Sequence, residues 1–299
     1  MHSDIIDFCT KNALEARLGE SLCEHTTMKV GGSCPLLVCV SESEILKELI
    51  VLMNKYSVRY FILGRGSNIL VPDEGFDGVV IKLTGSLAGI DCDGCEITAG
   101  AGASLKSLCM AAYDNSLCGL EFAYGIPGSV GGALFMNAGA YGGQMSDVVE
   151  SALCLENGEI KTLTAEEMSL SYRRSIFMQK RDIIILSVTV KLKIGDKSEI
   201  KSKMDELMQR RRDKQPLEYP SAGSMFKRPE GSYASLLIEQ CGLKGLSTGG
   251  AQVSLKHSGF VINAGGASFA DIIALTDEVK RIVKEKTGYL LELEPEILK

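Results

Sequence analysis

The chain has 299 residues, of which 45% are hydrophobic and 23% are charged. This composition can fill a sizeable core and excludes a disordered chain. The net charge of −6 argues against a nucleic-acid-binding protein, although it leaves room for a local basic pocket.

The N-terminal sequence and the cysteine and histidine content narrow the class of protein further. Acidic residues stand near the start of the chain, where a secretory signal needs a cationic segment, so we expect a cytoplasmic protein. The ten cysteines are irregularly spaced and too few for a disulfide scaffold. His2, His25 and His257 do not have the spacing of metal ligands, so we expect no metal site.

The first part of the chain alternates short strands with amphipathic helices. Residues 36–40 predict a strand, and the next helix is expected to begin with a capping box formed by Ser41 and Glu44. Residues 60–64 predict the following strand. A second strand-rich region starts near residue 79 with the apolar run VVIKL.

The middle of the chain adds a hairpin, a helix and a longer strand. Cys92 and Cys95 flank the turn signal Asp93-Gly94, which favours a tight hairpin over a metal or redox site. Residues 103–115 predict a helix. Alternation over 183–195 predicts a strand with one solvent-exposed face. Its apolar positions are Val188, Val190, Leu192 and Ile194.

The last hundred residues are mainly helical in pattern. One helix is expected to stop before Pro216, and a second is expected to end at Gly242. A third should begin with a cap formed by Ser268 and Asp271. Its apolar stripe predicts a face that packs in the core. The stripe comprises Ile272, Leu275, Val279 and Ile282.

An uncharged, glycine-rich stretch covers residues 125–142, GIPGSVGGALFMNAGAYG. Pro127 and six glycines make it unsuitable as a membrane helix, since bare backbone is costly in lipid. Its large apolar residues make it unlike a flexible linker. We expect a buried or half-buried loop whose N–H groups approach a ligand closely.

A second glycine-containing loop, LGRGSNILV at 63–71, follows the predicted strand. Gly64 and Gly66 permit a tight turn whose N–H groups can bind an anion. The spacing fits neither a dinucleotide fingerprint nor a phosphate-binding P-loop, and an ordinary turn is an equally good interpretation. Together, the two loops suit a ligand with two phosphates and a flat ring system.

Several polar residues could carry chemistry, but each alone has a simpler interpretation. Arg173 and Arg174 could form a solvated face, because charged residues mostly lie outside. Ser224, after glycine, could belong to a turn. The acids of LELEPEI, 291–297, could lie on the surface.

Six motifs nevertheless occur in one order over nearly the whole chain: HTTMKVGG, GRGSNIL, YGIPGSVGGALFMNAGAYGG, SYRRSIF, YPSAGSMFKRP and LEPEI. Together they resemble the UDP-N-acetylenolpyruvoylglucosamine reductase family, in its shorter type II branch. The resemblance implies an α+β fold. Residues 1–78 and 79–195 would form a two-subdomain FAD-binding module of the vanillyl-alcohol-oxidase (PCMH) type, and residues 196–299 a C-terminal α+β substrate-binding domain.

The implied reaction is the NADPH-dependent reduction of UDP-N-acetylglucosamine enolpyruvate to UDP-N-acetylmuramate, in peptidoglycan precursor synthesis. NADPH would give a hydride to flavin N5, and the enolpyruvyl group would then take it at its methylene carbon. The family pattern assigns Arg173 to the developing negative charge and Ser224 to the proton. It assigns Glu296, the second acid of EPE, to stabilising the enolate, and leaves Glu294 as scaffold.

The resemblance also assigns binding residues for FAD, which would be held noncovalently, and for a UDP-sugar substrate. The FAD residues would be Gly64, Gly66, Ser67, Asn68, Gly125, Ile126, Pro127, Gly128, Ser129 and Gly132. The substrate residues would be Asn137, Tyr141, Lys214, Lys227 and Arg228. Arg228 departs from the family pattern, since longer members carry an asparagine there. We expect a monomer with no nucleic-acid or membrane partner.

Two alternatives remain at this point. Another flavoenzyme of the same fold, such as an oxidase acting on a sugar or alcohol, would keep the flavin loops. It would not need the serine of AGS and the second acid of EPE together. A noncatalytic nucleotide-binding module should lack at least one of Arg173, Ser224 and Glu296, and all three are present.

Overall fold

The structure is a computed structural model that describes residues 3–298. His2 and the outer ends of the first and third predicted regions lie outside the described residues. The α-helices are α1 Ser3–Lys11, α2 Ser43–Lys55, α3 Leu105–Asp114, α4 Val130–Phe135, α5 Ile176–Gln179, α6 Lys197–Lys214, α7 Ala234–Gln240 and α8 Phe269–Thr287.

Many short strands accompany these helices, as expected for a mixed α+β fold. They are β1 Glu15–Ser21, β2 Ser33–Val40, β3 Tyr60–Ile62, β4 Ile69–Leu70, β5 Val79–Leu83, β6 Ile90–Asp93, β7 Glu96–Gly100, β8 Leu117–Cys118, β9 Gly139–Ala140, β10 Gly143–Gln144, β11 Val149–Glu156, β12 Glu159–Thr164, β13 Ile184–Lys191, β14 Lys193–Ile194, β15 Ser221–Ser224, β16 Ser247–Thr248, β17 Ala251–Val253, β18 Phe260–Asn263 and β19 Glu296–Ile297. No helix within the described residues has the length and apolar character needed to cross a bilayer.

The chain divides into two compact units, and each contains separated stretches of sequence. Unit 1 contains the residues up to Leu18, Leu36–Arg65 and Gly78–Arg210. Unit 2 contains Gly19–Pro35, Gly66–Asp77 and the residues from Arg211 onward. The predicted division into FAD-binding subdomains 1–78 and 79–195 and a substrate domain 196–299 stays a prediction.

The first sheet of unit 1 has the strand order β1-β2-β5-β3. Strands β2 and β3 both pair in parallel with β5, so that Leu36 and Tyr60 lie in register with Val79. Parallel strands are buried on both faces, which explains the nearly continuous apolar sequence VVIKL. Helix α2 connects β2 to β3 and buries the apolar face that contains Leu46 and Leu49.

The second sheet of unit 1 is antiparallel, in the order β12-β11-β13-β7-β6. The predicted hairpin forms between β6 and β7, but Asp93 pairs with Glu96. Gly94 and Cys95 are therefore the two turn residues, one position later than predicted. Gly94 has φ +57°, which a side chain tolerates poorly and glycine adopts readily.

Unit 2 contains an antiparallel sheet in the order β15-β18-β17-β16. Helices α7 and α8 contribute to its core, in which Ile272, Leu275 and Val279 are fully buried. The C-terminal strand β19 pairs in parallel with β4, and each strand has only two residues.

Two further local predictions were wrong. Helix α2 begins after Glu42, whose side chain makes no capping hydrogen bond, so Ser41 and Glu44 do not form a capping box. Ile194 was expected to face the core, but it is 80% exposed. It lies in the separate two-residue strand β14, which pairs with β8 rather than continuing the ladder of β13.

The cap of α8 is correct as predicted and gives a stability test. Ser268 Oγ accepts the Asp271 N–H at 3.0 Å, and the Asp271 carboxylate accepts the Ser268 N–H at 3.0 Å. We expect Ser268→Ala to lower the free energy of unfolding by about 1 kcal/mol, because it removes the partner of a helix N-terminal donor. Urea unfolding measures this loss.

The matched control is Ser41→Ala. Since the Ser41 side chain does not cap α2, this variant should unfold within about 0.5 kcal/mol of wild type. Equal losses in the two variants would show that the observed cap does not stabilise α8.

Candidate functional site

In unit 1, the two glycine-rich loops pack against each other. A side chain on Gly64 would overlap the Ser129 hydroxyl, so the close approach requires glycine. The same hydroxyl accepts the Gly132 N–H at 3.2 Å and caps α4. The stretch predicted as one loop therefore contains a short helix. The prediction missed it because six residues are too few for an apolar stripe to emerge.

Asn137, a predicted substrate residue, is fully buried within unit 1. Its amide nitrogen lies 3.0 Å from the Ser171 carbonyl, 3.3 Å from the Gln144 side-chain oxygen and 3.4 Å from the Ser146 hydroxyl. Its side-chain oxygen accepts the Ser146 N–H at 2.9 Å. These bonds use both ends of the amide to join the end of the glycine-rich stretch to the segment that precedes Arg173.

Arg173 lies in a tight turn within the SYRRSIF motif. Ser171 and Arg174 exchange two backbone hydrogen bonds of 3.1 Å across the turn. Arg173 has φ +52°, an uncommon conformation for a residue with a side chain. Its guanidinium donates to the carbonyls of Asn137 and Gly139 at 3.4 Å each. Arg173 is therefore brought together with the Asn137 loop.

The motif is held in place by a serine that the sequence did not single out. The hydroxyl of Ser175, which is buried, donates to the Phe135 carbonyl at the end of α4 at 2.6 Å. Arg174, by contrast, is exposed. Arg173 is half-buried, so the two neighbouring arginines have different environments.

Tyr141 lies at the tip of the hairpin formed by β9 and β10. Tyr141 and Gly142 both have positive φ, +55° and +92°, the conformation that a two-residue turn of this twist requires. The Arg210 guanidinium lies 5.0 Å from the centre of the Tyr141 ring, a cation–π distance. This contact orients the ring of a predicted substrate residue.

In unit 2, the Gly66–Asn68 loop is bonded to the C-terminal segment that contains the predicted acid. The Asn68 side chain donates to the Glu294 carbonyl at 3.3 Å. The Glu296 N–H donates to the Asn68 carbonyl at 3.0 Å, which begins the pairing of β19 with β4. The structure therefore brings one predicted flavin loop next to Glu296.

The same C-terminal segment pairs with the residues that follow Ser224. The Glu294 N–H donates to the Met225 carbonyl at 3.0 Å, and the Lys227 N–H donates to the Glu292 carbonyl at 2.9 Å. Ser224 ends β15 directly after Gly223, which has φ +77°. Ser224 and Glu296 are thus carried by adjoining backbone segments.

Thr27 of HTTMKVGG connects the predicted flavin loop to β15, although no sequence pattern singled it out. The Thr27 N–H donates to the Gly66 carbonyl at 3.1 Å, and its hydroxyl donates to the Ser221 carbonyl at 2.7 Å. Four motifs that are far apart in sequence therefore converge in unit 2. Their order in the chain was the only available signal.

The predicted phosphate-binding cations have separate environments. Lys214 is exposed at the last residue of α6. Lys227 forms an ion pair with Glu292 at 3.2 Å. The Arg228 guanidinium lies 4.6 Å from the centre of the Tyr233 ring.

Burial shifts the pKa of one histidine and of several cysteines within residues 3–298. Burial lowers the pKa of His257, and its Nδ1 accepts the Gly259 N–H at 3.1 Å, which fits a neutral ring. Burial raises the pKa of the Cys109 and Cys154 thiols to about 12 and also raises the pKa of Cys92. No group of three or more metal-ligating side chains occurs in this range.

Comparison with known proteins identifies both parts of the chain. Residues 35–164 match the family model of an FAD binding domain. Residues 215–298 match the model of the UDP-N-acetylenolpyruvoylglucosamine reductase C-terminal domain. Together with the α+β fold, these matches define an FAD-dependent oxidoreductase.

Full-length relatives identify the family. The UDP-N-acetylenolpyruvoylglucosamine reductase of Caldanaerobacter subterraneus subsp. tengcongensis is 50% identical over 94% of this chain and 92% of its own. That of Clostridium perfringens is 49% identical over 96% and 94%. The crystal structure of the Thermus caldophilus reductase superposes with a TM-score of 0.82 at 38% identity, over 96% of this chain and 99% of its own. The chain belongs to the UDP-N-acetylenolpyruvoylglucosamine reductase family, as its motifs predicted.

The network around Asn137 predicts a structural role. We expect Asn137→Ala to lower the free energy of unfolding by roughly 1–3 kcal/mol, because buried polar partners lose their hydrogen bonds. Urea unfolding without substrate measures the effect, and Asn54→Ala, which changes an exposed asparagine on α2, is the control. An Asn137→Ala protein that unfolds like wild type would instead favour a role limited to substrate contact.

Proposed function

We propose that this chain catalyses the NADPH-dependent reduction of UDP-N-acetylglucosamine enolpyruvate to UDP-N-acetylmuramate. The observation that carries this proposal is the 50% identity, over 94% of the chain, to a relative named for the enolpyruvoyl substrate. The product would be a precursor for peptidoglycan. We place the reaction in the cytoplasm, where NADPH and UDP-sugars are available, and we propose that the enzyme acts as a monomer.

FAD would be the noncovalent cofactor, and it would supply a group that accepts a hydride and passes it on. The glycine-rich loops would hold it through Gly64, Gly66, Ser67, Asn68, Gly125, Ile126, Pro127, Gly128, Ser129 and Gly132. One observation fits this assignment. Gly64, Ser67 and Asn68 are only half-buried, so a ligand can reach this loop.

Arg173 would stabilise the negative charge that develops on the substrate. A guanidinium can bind a carboxylate while carbonyl groups hold it, because it carries several N–H donors in a fixed plane. Its two bonds to the carbonyls of Asn137 and Gly139 support this role, since they fix the cation before the charge appears.

Ser224 would deliver the proton that completes the new C–H bond, and Glu296 would help to stabilise the enolate. A serine hydroxyl is a weak acid, so it can act only on a basic carbon while it is held in position. The backbone pairing of residues 225–227 with 292–294 supports such rigid placement. For the substrate we propose Tyr141, Lys214, Lys227 and Arg228 as contacts, together with Asn137 at its loop.

An oxygen-free assay of the two half-reactions tests the proposal. NADPH should bleach the flavin absorbance, and UDP-N-acetylglucosamine enolpyruvate should then restore it. Restoration by oxygen alone, with no effect of the enolpyruvyl nucleotide, would favour an oxidase. A protein that carries no flavin after purification and does not take up added FAD would contradict the proposal.

The adjacent acids of EPE give a matched pair of variants. We expect Glu296→Gln to lose most turnover, because the family pattern places the catalytic acid there, while Glu294→Gln should stay near wild type. Steady-state turnover with both substrates measures the difference. Similar losses in the two variants would contradict the assignment of Glu296.

Ser224→Ala should separate the two half-reactions. Flavin reduction by NADPH does not need a proton from this hydroxyl, so stopped-flow bleaching should proceed near the wild-type rate. Re-oxidation by the enolpyruvyl nucleotide should slow by roughly 10²–10⁴-fold, as for loss of a positioned acid. Equal slowing of both halves would indicate that Ser224 shapes the site and that another group supplies the proton.

A further inference from the structure

The hairpin formed by β9 and β10 in unit 1 is fixed at its base. On the first strand, the Gly139 carbonyl accepts a hydrogen bond from the Arg173 guanidinium at 3.4 Å. On the second strand, a side chain on Gly143 would overlap the Phe122 ring, so the backbone packs closely on that ring. Both strands of the hairpin are therefore held where they leave the rest of the unit.

The tip of the same hairpin is open to solvent. Tyr141 is 37% exposed, and a side chain built on Gly142 would meet no atom within 4 Å. An exposed side chain that must adopt one rotamer when a ligand binds loses conformational freedom, and this loss weakens binding. A contact that already fixes the Tyr141 ring in the free protein removes part of that cost.

Helix α6 supplies such a contact through Arg210, a residue that no sequence pattern singled out. Its guanidinium carbon lies 5.0 Å from the centre of the Tyr141 ring. The helix is anchored by Ile200 and Met204, which belong to the same hydrophobic core as Phe122. The hairpin and the helix are thus fixed on one core, and this arrangement sets the distance between Arg210 and the ring.

The stability of α6 gives little reason for an arginine at this position. Arg210 lies 3.6 Å from the Glu206 carboxylate, one helical turn earlier, and both residues are exposed. Exposed ion pairs of this kind contribute little to stability. A planar guanidinium can nevertheless stack its face on an aromatic ring while its edge faces a carboxylate. The contact with the Tyr141 ring is therefore the main effect of this side chain.

We propose that Arg210 is a positioning residue, which holds the Tyr141 ring in its binding orientation before the UDP-sugar substrate arrives. This inference rests on the proposed function, because it requires that Tyr141 contact the substrate. Arg210 acts on the free enzyme and not on the reacting atoms. Its loss should therefore weaken substrate binding and leave the chemical steps intact.

The first test measures binding of UDP-N-acetylglucosamine enolpyruvate to the oxidised holoenzyme by calorimetry, without NADPH. Arg210→Met removes the cation and keeps a long, unbranched side chain that suits a helix. Its dissociation constant should rise roughly 3- to 30-fold, the range that corresponds to loss of a cation–π contact. In steady-state assays KM should rise by a similar factor, while kcat should stay within about twofold of wild type.

The matched control is Lys203→Met. Lys203 is an exposed cation on the same helix and pairs with the same Glu206 carboxylate, at 2.8 Å. This variant should bind the nucleotide as wild type does, because Lys203 lies two helical turns before Arg210. Both variants should have the wild-type midpoint in urea unfolding, since surface substitutions change stability little.

A double-mutant cycle tests whether Arg210 acts through the ring. Tyr141→Leu removes the ring, so adding Arg210→Met to it should change the dissociation constant by less than about twofold. Tyr141→Phe keeps the ring, so the same addition should weaken binding as much as it does in the wild-type background.

Three results would overturn the inference. The first is an Arg210→Met protein that binds the nucleotide as tightly as wild type. The second is an equal loss of affinity in the Tyr141→Leu background, which would show that Arg210 acts without the ring. The third is an Arg210→Met protein that unfolds earlier than Lys203→Met, which would show a structural role. In each case normal binding and turnover by the wild-type enzyme would leave the proposed function standing. A wild-type enzyme that does not bind the nucleotide would contradict both.

Discussion

The backbone pairing of the last residues of the chain is the constraint on which unit 2 depends. Residues 292–294 bond to residues 225–227, and the N–H groups of Glu296 and Leu298 donate to the carbonyls of Asn68 and Leu70, at the end of the predicted flavin loop and in β4. The segment is therefore fixed by partners that are about 70 and 230 residues away in sequence. Backbone hydrogen bonds are direction-specific, so this pairing sets the position of the Glu296 backbone.

Unit 1 achieves a similar result with a side chain instead of a strand. The Asn137 amide offers donors and an acceptor at one buried point, and it joins the glycine-rich stretch to the segment that carries Arg173. Arg173 then donates back to the carbonyls of the same stretch. Each partner in this arrangement positions the other. A charged group held before the substrate binds needs little rearrangement when negative charge develops.

The sequence was informative where structure is decided locally. The cap of α8 was predicted correctly because Ser268 and Asp271 contact each other within a single turn. The amphipathic character of α2 was likewise predicted from its spacing. The start of this helix was not predicted correctly, because Ser41 and Glu44, which have the side chains of a capping box, lie one residue too early in the chain. The prediction that Ile194 faces the core was wrong for a different reason. Its alternation continues that of β13, yet its strand pairs with β8, a partner that spacing cannot reveal.

The candidate site was predicted from motif resemblance, not from periodicity. Nothing about Ser224 or Glu296 taken singly distinguishes it from a turn serine or a surface acid. What relates them is long-range pairing within unit 2, and only the order of the motifs carried that information. The structural role of Ser175 was not predicted, because it depends on a hydrogen bond to the Phe135 carbonyl, which is 40 residues away in sequence.

The adjacent residues Thr26 and Thr27 mark the limit of what sequence alone can assign. They are the same amino acid in the same motif, and no pattern of composition or spacing separates them. One hydroxyl has a carbonyl at 2.7 Å, and the other has no partner within the described residues. Satisfied groups explain how a chain holds its shape, and removing them weakens the fold whether or not a ligand is present.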